Sequence, residues 1–178
     1  QQKYALLVGI NKYYVRPGAL YPKVLQGCVN DALSIQSVLE NRFGFNKENV
    51  ITLFDDKASK ANVLAAFDNV LSKIKAGDAF VFFFSGHGVW MSNNDQSQLD
   101  QAIKDKMNQA MVMSDLYAKN LDCLFTDGLL KKTVNRFIDK RAIVTTIFDC
   151  CFSGKLLATF SLGEQNPYAP ERIPAHEK

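Results

Sequence analysis

The segment Ala79 to Ser85, AFVFFFS, is the strongest constraint on what this chain can fold into. Six of its seven residues are apolar, with no polar alternation, so a strand made from it buries both of its faces. Such a strand needs a covering layer on each side of its sheet. Three other short runs have the same character: Tyr4–Ile10 (YALLVGI), Asn49–Asp55 (NVITLFD) and Ala142–Asp149 (AIVTTIFD). Between them lie segments whose apolar residues recur at helical spacing. Asn30–Gly44 carries Ala32, Ile35, Val38 and Leu39, with Asn30 as a candidate N-cap and Gly44 as a C-terminal stop. Ser59–Asp78 carries Val63, Phe67, Val70, Leu71 and Ile74 and closes on Gly77. Thr126–Asp139 carries Leu130, Val134, Phe137 and Ile138, with Thr126 or Asp127 as its cap.

Strands and helices therefore alternate along the chain. That order predicts an α/β domain with a mainly parallel sheet and helices on both faces. The length, 178 residues, suits one domain with a real core. Residues 91–123 do not join the alternation. They begin polar (SNNDQSQLDQ) and continue weakly amphipathic, so they are expected to be an insertion, partly disordered or loosely helical. Tyr13–Lys23, with Pro17, Gly18 and Pro22, is expected to be a loop, and residues 155–178 an extended tail with Pro167, Pro170 and Pro174.

Composition narrows the function mainly by exclusion. A net charge of +3, with Lys and Arg scattered among Asp and Glu, gives no basic patch for nucleic acid or an anionic membrane. No apolar run approaches the ~18 residues of a membrane-spanning helix. Cys28, Cys123, Cys150 and Cys151 form no CxxC pairs and the two histidines are far apart, so zinc spacing is absent. No leader segment is evident, and a reduced, cytoplasmic setting is expected.

Ligands of open parallel sheets bind beyond the carboxyl ends of the strands. Two strands here end in reactive side chains. One runs into Ser85-Gly86-His87-Gly88 and the other into Asp149-Cys150-Cys151-Phe152-Ser153-Gly154. Taken alone, His87 is most simply a turn histidine, and a cysteine at a strand end a small buried hydrophobe. On neighbouring parallel strands the two leave the sheet at one edge. An imidazole beside a thiol is the minimum equipment for nucleophilic acyl transfer. Gly86 and Gly88 permit a tight turn, and the N–H groups of Gly88 and Cys151 are candidate donors to an oxyanion.

These two motifs, SGHG and DCCFSG, resemble those of the caspase-like cysteine peptidases, in the metacaspase and bacterial orthocaspase branch. YALLVGINKY resembles the family's first strand and turn, and LQGCVNDALSIQSVL its GCxNDA segment and first helix. The resemblance implies a caspase-like three-layer sandwich and a cysteine endopeptidase with His87 as acid/base and Cys151 as nucleophile. It also implies that Cys28, Asp31, Ser85 and Asp149 line the pocket for the residue before the scissile bond. Two carboxylates in such a pocket favour Arg or Lys. Asp31 also suits the first turn of a helix, where the dipole favours an acid.

The match covers Tyr4 to about Lys155, the large-subunit portion. It implies a small-subunit chain as partner and makes Lys178 a candidate autocleavage site. Phe152 stands where metacaspases commonly have His. Calcium enters only through the resemblance: Asp95, Asp100, Asp115 and Asp122 are too sparse for a ligand loop supplying roughly 6–8 oxygens. The alternatives are a non-catalytic caspase-like regulatory module, which intact His87 and Cys151 argue against, and a hydrolase of other acyl substrates, which the acidic pocket residues argue against.

Overall fold

In the computed structural model, residues 1–14, 24–91, 108–115 and 123–150 are described. Four strands form one parallel sheet in the order β2-β1-β3-β7: β1 is Lys3–Gly9, β2 Val50–Phe54, β3 Ala79–Ser85 and β7 Ile143–Asp149. Every pairing in it is parallel. Helix α1 (Cys28–Phe43) connects β1 to β2, and α2 (Lys60–Lys73) connects β2 to β3. Helix α3 (Asp127–Asp139) precedes β7.

The double apolar character of β1 and β3 is used as expected. Ala5 and Leu7 of β1 and Val81 and Phe83 of β3 pack against Ala32, Ile35 and Leu39 of α1. The alternate residues Tyr4, Leu6, Val8, Phe80, Phe82 and Phe84 face α2 and α3. The result is a three-layer α/β sandwich, with helices on both faces of the sheet as expected. Phe67 of α2 is the hub of the second layer. Its ring lies 4.9 Å from Phe82, 5.9 Å from both Phe80 and Phe125, and 6.1 Å from Phe137.

Helix ends follow local chemistry. Ser59 Oγ accepts the Asn62 N–H at the start of α2, and Thr126 Oγ1 accepts that of Leu129 at the start of α3. Gly44 takes the left-handed conformation (φ 66°) that ends α1. The start of α1 differs from expectation. It begins at Cys28, two residues before Asn30, and its cap is Gly27 at φ 121°, without a side-chain cap bond. The chain turns sharply there to press the first helical turn onto the end of β1.

A second sheet was not foreseen. Strands β4 (Gly88–Met91), β5 (Asn108–Val112) and β6 (Leu124–Thr126) pair antiparallel in that order. Thus β5 lies inside the stretch expected to be partly disordered or loosely helical. Met111 and Met113 are fully buried in the main core with Phe125, so this sheet extends the α2/α3 side.

Candidate active site

The register of the parallel sheet assembles the site. Gly9, Ser85 and Asp149 end their strands side by side, as the last pairs of β1–β3 and β3–β7. Beyond them the ladder continues, with Gly86 N–H donating to Asp149 O at 3.3 Å. The first turn of α1 lies directly over Gly9. A Cβ at that position would sit 2.6 Å from Cys28 O and 3.0 Å from Val29 Cα. Only a residue without a side chain lets the helix come so close.

That approach brings Cys28, Asp31, Ser85 and Asp149 together from three segments far apart in sequence. Ser85 Oγ lies 3.4 Å from Asp31 Oδ2 and 3.3 Å from Asp149 Oδ2. Both contacts are long for O–H···O bonds, and one hydroxyl proton serves only one carboxylate at a time. Neither carboxylate forms an ion pair among the described residues. Ser85 is buried, Asp31 half-buried and Asp149 exposed, so the cluster opens toward solvent on the Asp149 side. Burial pushes the Cys28 thiol above its ordinary pKa. The hydrogen bond to Ser85 opposes that shift, while the charges of Asp31 and Asp149 add to it. Cys28 therefore remains a protonated thiol near neutral pH and is a poor nucleophile.

His87 stands between β3 and β4, half-buried, at the same end of the sheet. Its backbone is held on two sides. His87 O accepts the Val112 N–H at 2.9 Å, and His87 N–H donates to Tyr13 Oη at 2.6 Å. The Tyr13 ring packs on the imidazole with centroids 5.0 Å apart. Because His87 and Val112 occupy the bonded position of the antiparallel ladder, the next residue, Gly88, turns its N–H away from β5. Tyr13 is itself partly buried, and burial pushes its phenol well above the ordinary tyrosine range, against the lowering effect of the His87 N–H. Its oxygen is a neutral hydroxyl at any physiological pH.

Of the residues expected at the site, Cys28, Asp31, Ser85 and Asp149 meet, and His87 and Gly88 lie two and three residues beyond Ser85. Cys151 and Lys178 lie outside the described residues, as do Asp95, Asp100 and Asp122. Asp115 is described, and its Oδ1 accepts the Lys60 N–H at 3.1 Å. No group of three or more potential metal ligands occurs among the described residues. Tyr13 was read only as the start of a loop. Its position in the sequence, three residues beyond an apolar strand, carried no sign of a contact with a turn 74 residues away.

Residues 3–160 match the family model described as the metacaspase, peptidase C14 domain. The chain belongs to the metacaspase family. It is 31% identical over 160 residues to Metacaspase III c of Phaeodactylum tricornutum, a match covering 86% of this chain and 43% of that protein. It is also 31% identical over 167 residues to Metacaspase-9 of Arabidopsis thaliana, covering 88% of this chain and 45% of that one. Thus the chain spans less than half the length of these curated relatives. Among solved structures, a protein from Geobacter sulfurreducens shares the fold. Its TM-score is 0.66 at 23% identity, covering 85% of this chain and 51% of the other. No helix among the described residues is long and apolar enough to cross a membrane.

Proposed function

We propose that this chain supplies the catalytic portion of a cysteine endopeptidase that cleaves after Arg or Lys. The observation that carries the reading is the pair of carboxylates, Asp31 and Asp149, flanking Ser85 at the strand end that runs into His87. A guanidinium or ammonium group entering there would exchange two long serine contacts for charge-assisted bonds, whereas an acidic side chain would be repelled.

Cys151 follows Asp149 by two residues, as His87 follows Ser85 by two, and Ser85 and Asp149 are register partners. This count supports a Cys151–His87 pair at one edge. The Cys151 thiolate attacks the scissile carbonyl carbon. The resulting oxyanion is held by the N–H groups of Gly88, turned away from its ladder, and of Cys151. His87 protonates the leaving amine as the tetrahedral intermediate collapses to a thioester. It then takes a proton from the water that releases the acid and restores the thiol pair. Calcium is assigned no step.

The rest of the enzyme is proposed to complete the sheet at β7. Among the described residues β7 pairs only with β3, and Ile143 and Ile147 are exposed on the side where α1 covers the neighbouring strands. A small-subunit segment adding a strand beside β7, followed by a helix on that face, would cover both.

The test is a positional peptide library assayed with and without calcium, using the full chain and its Cys151→Ala and Asp31→Asn variants. Expected is turnover restricted to Arg and Lys before the scissile bond and abolished in Cys151→Ala. In Asp31→Asn, kcat/KM for Arg peptides should drop by about 10- to 100-fold, the loss of one charge-assisted hydrogen bond. Cleavage after Asp, or undiminished Arg cleavage in Asp31→Asn, would refute the pocket.

A further inference from the structure

The mechanism uses His87 but leaves open what holds the imidazole where it must act. A histidine two residues past a strand end, between two glycines, has a backbone with considerable freedom. The structure fixes it on one side through the Val112 N–H of β5 and on the other from the segment that follows β1. Tyr13 Oη accepts the His87 N–H at 2.6 Å and its ring lies 5.0 Å from the imidazole. Gly86 makes room for this, since a Cβ there would stand 2.7 Å from Tyr13 Oη and 2.9 Å from the Phe84 ring.

The segment that leads to Tyr13 is in turn held by a carboxylate on the other side of β1. Asp55, just past the end of β2, accepts the N–H groups of both Asn11 and Lys12 on one oxygen, at 2.8 and 2.9 Å. To do so it adopts a left-handed backbone, φ 44°, which is costly for a residue other than glycine. The same segment is tied at three more backbone points: Ile10 N–H to Ser85 O, Leu25 N–H to Asn11 O, and Tyr14 N–H to Ser114 O.

From these contacts we infer that Tyr13 and Asp55 are positioning residues for the reaction. Asp55 clamps the segment after β1, and Tyr13 passes that position to His87 through one hydrogen bond and one ring contact. The inference rests on the proposed role of His87. Neither residue touches substrate in this scheme, so both act on turnover rather than on peptide binding.

Tyr13→Phe keeps the ring and removes the acceptor. In the full chain it should lower kcat about ten-fold, equivalent to about 1.4 kcal/mol of barrier, while KM for an Arg peptide and the melting temperature stay near wild type. The His87 amide proton should move upfield in the NMR spectrum and exchange faster with solvent. Asp55→Gly tests the clamp without backbone strain, because glycine accepts the positive φ while supplying no acceptor. It should reproduce the kcat loss, and Asp55→Asn, which retains an acceptor oxygen, should restore most of it. His87→Ala separates the two levels. If it is inactive while Tyr13→Phe and Asp55→Gly turn over at the wild-type rate, the positioning role is wrong and the proposed mechanism stands. If Tyr13→Phe raises KM with kcat unchanged, Tyr13 belongs to substrate binding and the inference is likewise wrong. If His87→Ala turns over normally, the mechanism itself falls, and the inference with it.

Discussion

Adding one methyl group at three glycines should separate the packing of the site from the stability of the fold. At Gly9 the new Cβ meets backbone, 2.6 Å from Cys28 O and 3.1 Å from Cys28 C. To restore ordinary contact at 3.4 Å, the first turn of α1 must retreat from β1 by about 0.8 Å. Overpacking of this kind costs about 1–3 kcal/mol, and at this chain length ~2 kcal/mol lowers the melting temperature by about 4–8 °C. The retreat carries Asp31 away from Ser85, so cleavage after Arg should fall as well. At Gly77 a Cβ has nothing within 4 Å, but φ is +82°, so alanine costs roughly 1–2 kcal/mol through the backbone alone. At Gly128, in the first turn of α3, there is neither a contact nor a positive φ, and alanine should stabilise by about 0.4–1 kcal/mol. The assay is thermal unfolding of the three variants in the full chain, alongside kcat/KM on one Arg peptide. The prediction is that Gly9→Ala and Gly77→Ala are destabilised to a similar degree but only Gly9→Ala loses Arg cleavage. Equal activity loss in both would mean that the site responds to global stability rather than to the seat of α1. A Gly9→Ala protein melting at the wild-type temperature would refute the packing argument outright.

Phe67→Ala removes the ring that touches four others and should cost about 3–5 kcal/mol; urea unfolding measures it, and a loss below ~1 kcal/mol would show that the layer can collapse around the void. Asp78 is held below the usual aspartate pKa, first by the Gln2 N–H and then by the Lys75 N–H that its carboxylate accepts. Its folded pKa is depressed, so its contribution is complete above the unfolded value of about 3.9 and disappears as pH falls through the folded one. In Asp78→Asn, stability should be lower at neutral pH and fall less steeply below about pH 4; an unchanged acid limb would remove Asp78 from that transition. With its thiol pushed up by burial, Cys28 should resist iodoacetamide at pH 7 in the folded protein and react once unfolded, which peptide mapping by mass spectrometry would reveal.

The layered architecture was legible because burial on both faces leaves a plain mark: AFVFFFS has no polar alternation, and Val63, Phe67, Val70, Leu71 and Ile74 recur at helical spacing. The small antiparallel sheet left no such mark. Strand β6 is only three residues long and β5, NQAMV, begins with two polar residues, of which Gln109 is nonetheless buried. Its strands owe their state to partners rather than to local pattern. The acidic cluster was legible only through the resemblance, since Cys28, Asp31, Ser85 and Asp149 have no mutual spacing a periodicity could reveal. Gly9 shows the gap most clearly. In the sequence it is one residue of the apolar run Tyr4–Ile10, and only the structure shows the helix resting on it. Tyr13 and Asp55 were missed for the same reason: each acts on a segment distant in sequence, through backbone atoms that no motif records.

Strands β3 and β7 are both seven residues long and finish level, Ser85 against Asp149. This flush end constrains how such a gene can change in length. Removing or adding one codon within either strand would slip every later residue to the opposite face of the sheet. Asp149 would leave Ser85, and the chain beyond would be one step out of phase with His87. Indels in the connections that precede Ala79 or Ile143 carry no such penalty, because they end before the shared register begins. Descendants of this chain should therefore vary in length between the strands while β3 and β7 keep the same residue count, changing only together if they change at all.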